Sequence, residues 1–498
     1  MQEHKTPLDA AQWLQKHVKG TLTADSRKVA AGDGFIAWPG VAVDGRSFVP
    51  QALAQGAEAC LVEAQGADSY VFSGDSTASM HGLKALTGEV VSAFFDTPSA
   101  ALEVIAITGT NGKTSTAWWL AQALSAVGGV HGPCGVVGTL GVGQPPDVLA
   151  TGLTTPDPVW LQQTFQTMRQ LGYRSCAIEA SSIGIEEHRL AGTQIRTAVF
   201  TNLTQDHLDY HASMQAYAQA KRKLFAWPGL QSAVVNIDDP YGAVLAKELG
   251  TGALDVWSTS VHQSARLVAR SVVYGNAGLQ FDVQEGETSA TLQTRVIGEF
   301  NIANLLSVIA AMRSVGVSLH DAVAACQSLQ PVPGRMECVG GVDQPLVAVD
   351  YAHTPDALSK ALVALRPVAA QRGGALWCIF GCGGDRDAAK RPLMGCIAAQ
   401  HADQVVLTSD NPRSEKPEAI IAQILRGQCS SKNVSVQTDR ALAIAETVQK
   451  VAPADVILLA GKGHETTQEV AGQKYAFVDK EHAQRALAQR GLQVGVDA

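Results

Sequence analysis

The stretch Val104-Ile105-Ala106-Ile107-Thr108-Gly109-Thr110-Asn111-Gly112-Lys113-Thr114-Ser115-Thr116-Ala117-Trp118-Trp119-Leu120 decides the fold. Its first four residues are a β-branched apolar run, short enough for a buried strand. Its last residues are apolar and helix-compatible, and between them lies a turn with two glycines. Strand, glycine turn and helix start make the setting of a phosphate-binding loop, where backbone N–H groups and the helix dipole favour an anion. Gly109 and Gly112 let the backbone curl close to phosphate oxygens, with Thr110 and Asn111 between them. Lys113 is placed to reach the β- and γ-phosphates, the Thr114 hydroxyl to sit on Mg²⁺, and Ser115 follows on the first helical turn. The spacing departs from G-x-x-x-x-G-K-[ST], because Ile107 stands where the first glycine should be. The loop is read as a nucleoside triphosphate site.

The chain has 498 residues, too many for one core, and about three domains are expected. Hydrophobic residues make up 46% and charged ones 17%, which is a folded rather than a disordered composition. A net charge of −8 argues against nonspecific nucleic-acid binding. No apolar run approaches the ~20 residues of a membrane span, so no membrane partner is expected. The stretch from Met1 to Gly20 is polar, and no export signal is expected there. Nine cysteines are scattered without a C-x-x-C pair, which reads as buried small residues in a reducing cytoplasm.

Upstream of the loop, residues 1–96 have their own character. Asp25-Ser26-Arg27 and Asp44-Gly45-Arg46 are polar turns around a short apolar strand, a helical segment spans Val49 to Gln55, and a second strand lies near Ala57 to Val62. Taken alone, these polar residues read as turn residues and helix caps. Asp96-Thr97-Pro98-Ser99 marks a linker.

The second unit, 97–331, continues with a strand ending in Glu179-Ala180-Ser181-Ser182. A carboxylate at the C-terminal end of a parallel strand is where open α/β sheets gather ligand groups, so Glu179 is a candidate Mg²⁺ ligand. The next strand, Thr197 to Phe200, leads into Asn202-Leu203-Thr204-Gln205-Asp206-His207-Leu208-Asp209-Tyr210-His211. Zinc is conceivable there, but hard oxygen donors beside a phosphate loop favour Mg²⁺. Lys221-Arg222-Lys223 reads, without more information, as a solvated basic helix face. Alternation between Leu254 and Arg295 suggests hairpins, and Asn301 and Asn304 share one face of the helix that follows.

Pro331-Val332-Pro333-Gly334-Arg335 marks the second boundary. In 332–498, strands near Leu346, Ala375, Gln404 and Val456 alternate with helical segments, the pattern of a doubly wound sheet. Gly381-Cys382-Gly383-Gly384 lacks the full dinucleotide fingerprint. The expected fold is therefore α/β in three parts: a small N-terminal domain, a central phosphate-loop domain with a mostly parallel sheet, and a C-terminal Rossmann-like domain.

In this order the motifs resemble those of the Mur ligases, ATP-dependent amino-acid-adding enzymes of peptidoglycan synthesis. The resemblance rests on Thr108 to Thr114, Glu179 to Ser182, Asn202-Leu203 with Asp206 to Asp209, Ala220-Lys221, Asn301 with Asn304, Pro333 to Glu337, and Asp350-Tyr351-Ala352-His353-Thr354-Pro355. Gly383 to Asp387 with Lys390-Arg391-Pro392, Asp410-Asn411-Pro412-Arg413 and Gly461-Lys462-Gly463-His464-Glu465 narrow it to the branch adding the third peptide residue.

The resemblance implies that ATP converts a carboxylate to an acyl phosphate, which an amine then attacks. It gives Lys113, Glu179, His207 and Lys221 catalytic roles, with Thr114, Glu179, His207 and a CO₂-derived carbamate on Lys221 around Mg²⁺. Asn301 resembles an adenine contact, and Arg335 and Asp350 resemble groups that close over ATP. Ser26, Asp44 and Arg46 are implied for the uridine diphosphate end of a UDP-N-acetylmuramoyl dipeptide, and Thr154, Thr155, Ser181 and Arg189 for its muramoyl peptide. Glu187, before His188-Arg189, departs from the pattern and is left out.

Charge speaks to the incoming amino acid. Meso-diaminopimelate carries a far carboxylate that lysine lacks, and arginine is the planar bidentate donor for it. By the resemblance Arg413 stands where lysine-adding relatives lack an arginine and would fill that role, with Arg386, Asp410, Asn411, Pro412, Gly461 and Glu465 completing the pocket and Glu465 taking the distal ammonium. A monomer in the cytoplasm without nucleic-acid partners is expected. The rivals are a folylpolyglutamate synthetase-like ligase, an ATP-hydrolysing switch and a nonenzymatic relative.

Overall fold

The structure is a computed structural model that describes residues 1–498 except 41–42, 73–74, 276–277, 342, 428–432 and 494–498. Among the described residues the strands fall into four sheets. The first is fully parallel and takes the strands in the order Gln2–His4, Thr77–Met80, Ala59–Glu63, Gly34–Ala37, Leu22–Thr23. Helices Pro7–His17 and Leu83–Phe94 pack on it through Leu14, Val90 and Val91, all buried.

The second sheet has 11 strands, parallel through the middle and antiparallel at both ends. Glu103–Thr108 lies centrally, between Thr197–Phe200 and Ser175–Glu179. Its residues alternate between two buried faces. Ile105 and Ile107 join a core with helices Lys113–Val127 and Glu299–Ser314, while Val104 and Ala106 join one with Phe165, Ile178 and Phe200. Because the strand is buried on both sides it reads as a continuous apolar run. Trp119 fills the first core and donates its indole N–H to Gln330 O at 3.1 Å. Truncating so large a buried ring typically costs about 3–5 kcal/mol, so this helix start is firmly held.

The third sheet orders its strands Glu337–Val339, Leu346–Asp350, Val456–Ala460, Leu376–Phe380, Gln404–Leu407 and Val434–Val436, parallel except for the first. A two-stranded hairpin, Thr467–Val470 with Gln473–Ala476, stands apart from it. The predicted strands are present, and the hairpins expected between Leu254 and Arg295 are Leu267–Gly275, Gly278–Glu285 and Thr288–Thr294. Every cysteine among the described residues is free. Among them, no helix is long and apolar enough to cross a membrane.

Candidate functional site

The sheet order puts the ends of three neighbouring strands together. Glu179 is in register with Ile107, and Phe200 with Thr108, so the loop after Thr108 is flanked by Glu179 and by Thr201-Asn202. From Glu103–Thr108 the chain first adds Cys134–Gly138 and Ser175–Glu179 on one side and then Thr197–Phe200 and Ser232–Asn236 on the other, and such a switch point leaves a crevice for ligands. The turn is clamped from the Asn202 side. Thr110 N–H donates to Asn202 O (2.8 Å), Asn111 N–H to Asn202 Oδ1 (2.9 Å), and the Thr201 hydroxyl to Asn111 O (2.6 Å). Both glycines are required here. Gly109 has φ +147 and an added Cβ would fall 1.9 Å from Thr201 Oγ1; Gly112 has φ +85 and would meet Asn304 Oδ1 at 2.4 Å.

Lys113 opens the helix and curls back, donating to Gly109 O (2.9 Å) and Thr110 O (3.0 Å). Burial lowers its pKa, partly offset by Glu179 and Asp206. Beside it, the Thr114 hydroxyl donates to Glu179 Oε2 at 3.0 Å. The buried Glu179 carboxylate is held by Thr139, whose N–H donates to Oε1 (2.8 Å) and whose hydroxyl donates to Oε2 (3.2 Å). Thr139 Oγ1 is 3.0 Å from Thr154 Oγ1. Thr155 donates to Glu179 O (2.8 Å) and accepts from Ser181 N–H (3.0 Å), while Arg189 donates to Thr155 O (2.9 Å). Thr154, Thr155, Ser181 and Arg189 thus converge around the base of Glu179.

Lys221 departs from the basic-face reading. It is 1% exposed, whereas Arg222 and Lys223 face outward and pair with Glu248 and Glu186. Its Nζ donates to Gly109 O at 2.9 Å and lies 4.2 Å from the centre of the Tyr217 ring. Burial pushes its pKa well below the usual lysine value, and the Lys113 charge pushes the same way. Two lysine side chains therefore share one carbonyl. His207 sits at φ +52, with its ring 6.0 Å from that of Tyr217 and its Nε2 3.6 Å from Asp206 Oδ2. Among the described residues no three His, Cys, Asp or Glu side chains gather as a preformed metal cage. The oxygens of Thr114 and Glu179 nonetheless suit Mg²⁺, which takes only one or two protein carboxylates when phosphates supply the rest.

A cavity of about 820 Å³ opens beside the loop. Asn111, Thr114 and Asn301 line it from the central sheet, and Arg335, Asp350 and Tyr351 from the third. Asn301 donates to Ile297 O (2.7 Å) and accepts from Asn304 Nδ2 (3.0 Å), the shared face expected from their spacing. Arg335 stacks 4.5 Å over Tyr351, donates to Thr114 Oγ1 (3.3 Å), and keeps a buried Nε without a partner among the described residues. Asp350 accepts from Met336 N–H and Ala352 N–H, and burial raises its pKa. Asn111 Nδ2 donates to Asp356 Oδ2 at 3.1 Å, joining the loop to the third sheet's helices. A nucleotide fits these features: volume, open donor, glycine turn and helix start.

Another cluster forms at the strand ends of the third sheet. Asn411 Nδ2 donates to Glu465 Oε2 at 2.7 Å. Asp410 is buried, its pKa raised by burial, and its Oδ2 lies 2.4 Å from where a Cβ on Gly461 (φ +112) would stand. Pro412 O would be 1.9 Å from a Cβ on Gly384. Arg413, at φ +50, donates through NH1 to Gly384 O (2.6 Å) and through its backbone N–H to Glu469 O (3.1 Å). Arg386 is exposed beside Gly383, which also abuts Arg413.

Ser26 and the 44–46 turn lie in the first unit, and among the described residues no hydrogen bond or ion pair joins them to the loop. Ser26 is buried at the start of a turn capped by Asp25. Arg46 donates to Asp44, Glu63 O and Gln65 O, and this pairing holds the Asp44 carboxyl near pKa about 2. Arg46 thus braces its own turn. Glu187, set aside from the sequence, pairs with Lys84 (2.6 Å) and accepts from the Tyr210 hydroxyl (2.6 Å).

Sequence reasoning missed Thr139 and Glu469, which lie outside every motif, and passed over Lys462 although it stands inside one.

Three family descriptions match the chain: "Mur ligase family, catalytic domain" over residues 20–94, "Mur ligase middle domain" over 107–312, and "Mur ligase, glutamate ligase domain" over 334–463. A UDP-N-acetylmuramoyl-L-alanyl-D-glutamate--2,6-diaminopimelate ligase from Acidovorax sp. (strain JS42) is 57% identical over 487 residues, 97% of each chain. A protein of the same description from Pseudomonas aeruginosa is 47% identical over 467 residues, 94% of each. A solved structure of that description superimposes with TM-score 0.66 at 34% identity, covering 95% of each chain.

Proposed function

The chain belongs to the Mur ligase family, and on that premise we propose that it adds meso-diaminopimelate to UDP-N-acetylmuramoyl-L-alanyl-D-glutamate at the expense of ATP, in peptidoglycan synthesis. The observation that carries this reading is the cluster in which Asn411 ties Glu465 to the Arg413 turn. A guanidinium and a carboxylate in one loop cluster match a substrate bearing a far carboxylate beside a far ammonium. Arg386, Asp410, Pro412 and Gly461 complete that pocket.

The division of labour follows the three parts. Residues 1–96 take the uridine diphosphate end, through Ser26 and the turn that Arg46 and Asp44 keep in shape. Residues 97–331 take ATP, and 332–498 take the amino acid. Thr154, Thr155, Ser181 and Arg189 hold the muramoyl peptide near Glu179.

The reaction begins when a substrate carboxylate oxygen attacks the γ-phosphorus of ATP, giving an acyl phosphate and ADP. The amine then attacks the acyl carbon, a proton leaves the nitrogen, and phosphate departs with one former carboxylate oxygen. Most of the work is positioning and charge neutralisation. The amides of Gly109 to Gly112 cradle phosphate oxygens, and Lys113 exchanges its two loop carbonyls for them. Asn301 contacts the base, Arg335 supplies its open donor to the nucleotide, and Asp350 holds the Arg335-Met336 turn through Met336 N–H. Thr114 and Glu179, with His207 nearby, would hold Mg²⁺, which neutralises phosphate charge. Lys221 is suited to carbamylation, because CO₂ reacts with the neutral amine and burial, by lowering the pKa, raises the share of that form. We place the enzyme in the cytoplasm as a monomer.

The test is phosphate release with ATP, Mg²⁺ and UDP-N-acetylmuramoyl dipeptide, with meso-diaminopimelate or L-lysine in parallel. Turnover with diaminopimelate alone is expected. Turnover with lysine alone would overturn the pocket, and release without any amine would favour the switch.

A further inference from the structure

Lys462 is one of the most deeply buried charged side chains in the protein, at 0% exposure, and the reaction outlined above gives it nothing to do. Its Nζ has three acceptors: Thr467 O at 2.7 Å, Glu465 Oε2 at 2.8 Å and Asn411 Oδ1 at 3.1 Å. An ammonium has three protons, so its hydrogen-bonding capacity is filled by the protein itself. Lys462 is therefore no ligand for substrate. Its three acceptors lie on three different segments: the turn after strand Gln404–Leu407, the turn after strand Val456–Ala460, and the start of the hairpin Thr467–Val470.

We propose that Lys462 is the positioning residue of the amino-acid pocket, acting through Glu465 and Asn411. This rests on the reading that the cluster around Arg413 receives the diamino acid. The Asn411 amide shows how tightly the orientation is set. Its Oδ1 accepts from Lys462 and from Glu469 N–H (3.0 Å), so its Nδ2 is the end that points to Glu465 Oε2. Glu465 thus has two donors on one oxygen, and neither consumes Oε1. A glutamate left to itself would sample many rotamers, whereas here one oxygen is fixed before any ligand arrives and the other is left for the incoming ammonium. That is preorganisation of a binding group by a buried support. The same Glu469 also accepts from Arg413 N–H through its backbone carbonyl, so the support reaches the guanidinium side of the pocket.

Charge adds a second consequence. Lys462 compensates Glu465, so the empty pocket does not hold a bare carboxylate against the buried Asp410, whose pKa burial already raises. Removing Lys462 leaves two carboxyl groups in one enclosure with Arg440 as the remaining counter-charge acting on Asp410. One carboxyl is then driven to take up a proton, and the receptor for the ammonium weakens.

The variants are Lys462→Met, which keeps the length of the stem, and Lys462→Gln, which keeps a donor, each made alone and in a Glu465→Gln background. KM is measured separately for meso-diaminopimelate, ATP and the UDP-N-acetylmuramoyl dipeptide. The expected result is a rise in KM for diaminopimelate of about tenfold to a hundredfold, as for a binding group left unsupported. KM for the other two substrates should stay within about twofold. In the Glu465→Gln background the additional effect of Lys462→Met should shrink to about twofold, since residues acting through one another are not additive. Equal losses for all three substrates, a fall in kcat with KM for diaminopimelate unchanged, or full additivity with Glu465→Gln would overturn the proposal. Insolubility of both Lys462 variants would assign the ammonium to folding and overturn it too. Wild-type protein that does not turn over diaminopimelate would instead refute the pocket itself, a separate outcome.

Discussion

Lys113 and Lys221 each donate to Gly109 O at 2.9 Å, which places their nitrogens within about 6 Å of one another. At an effective dielectric constant near 20, two positive charges at that separation repel by about 3 kcal/mol. Burial acts on Lys221 in the same direction, so the folded protein favours its neutral amine. Carbamylation reverses the sign. The anion on Lys221 is then attracted to Lys113 by a similar ~3 kcal/mol, and at 1.36 kcal/mol per decade this amounts to roughly a hundredfold in the carbamate's formation constant. The perturbation is Lys113→Met, which removes the charge and keeps the stem. Activity is lost with the phosphate contact in any case, so the assay is ¹³C NMR of protein equilibrated with ¹³C-bicarbonate, with Lys221→Ala as the blank. A carbamate signal is expected in the wild type and a roughly hundredfold weaker bicarbonate dependence in Lys113→Met. Equal occupancy in the two proteins, or a wild-type signal that survives in Lys221→Ala, would refute the reasoning.

Arg413→Lys should raise KM for meso-diaminopimelate by about tenfold to a hundredfold and leave KM for ATP unchanged, since hydrogen bonds to charged groups are worth about 1.5–3 kcal/mol. An unaltered diaminopimelate requirement would remove Arg413 from the pocket. Burial pushes His353 and His464 down to about 4, so the folded chain refuses protons that the unfolded chain accepts below its ordinary value of 6.5. The stability they contribute is full above pH 6.5 and lost as pH falls toward 4, by up to about 3 kcal/mol per ring. Urea unfolding at pH 7 and pH 5 reads this, with the difference shrinking in His353→Gln and His464→Gln; an equal pH dependence in the variants would count against it.

The strand, turn and helix around Gly109 were legible because each local preference agrees with the tertiary role: a two-face apolar run, two glycines at positive φ, and a helix whose tryptophans fill a core. Asn301 and Asn304 were legible from helical spacing alone. Lys221 was not, since nothing in Lys221-Arg222-Lys223 says which of three consecutive bases turns inward. Packing against the Gly109 turn decides it, and only the family resemblance pointed there. Arg46 shows the opposite case: taken alone it reads as a turn residue, and it donates to Asp44 and two backbone carbonyls. Thr139 stayed hidden because its contribution is a backbone N–H and a hydroxyl presented to Glu179 across the sheet, a relation set by strand order. The hairpin Thr467–Val470 with Gln473–Ala476 stayed hidden as well. Its strands are polar and partly or fully exposed, so they lack the apolar alternation that marks a half-buried strand.

The most direct test of the ligase mechanism is to label both oxygens of the reacting glutamyl carboxylate of UDP-N-acetylmuramoyl-L-alanyl-D-glutamate with ¹⁸O. The labelled substrate is turned over with ATP, Mg²⁺ and meso-diaminopimelate, and phosphate and product are weighed by mass spectrometry. An acyl phosphate requires one ¹⁸O in each phosphate released and one retained in the new amide. Phosphate free of ¹⁸O, or released at the same rate without diaminopimelate, would contradict the account.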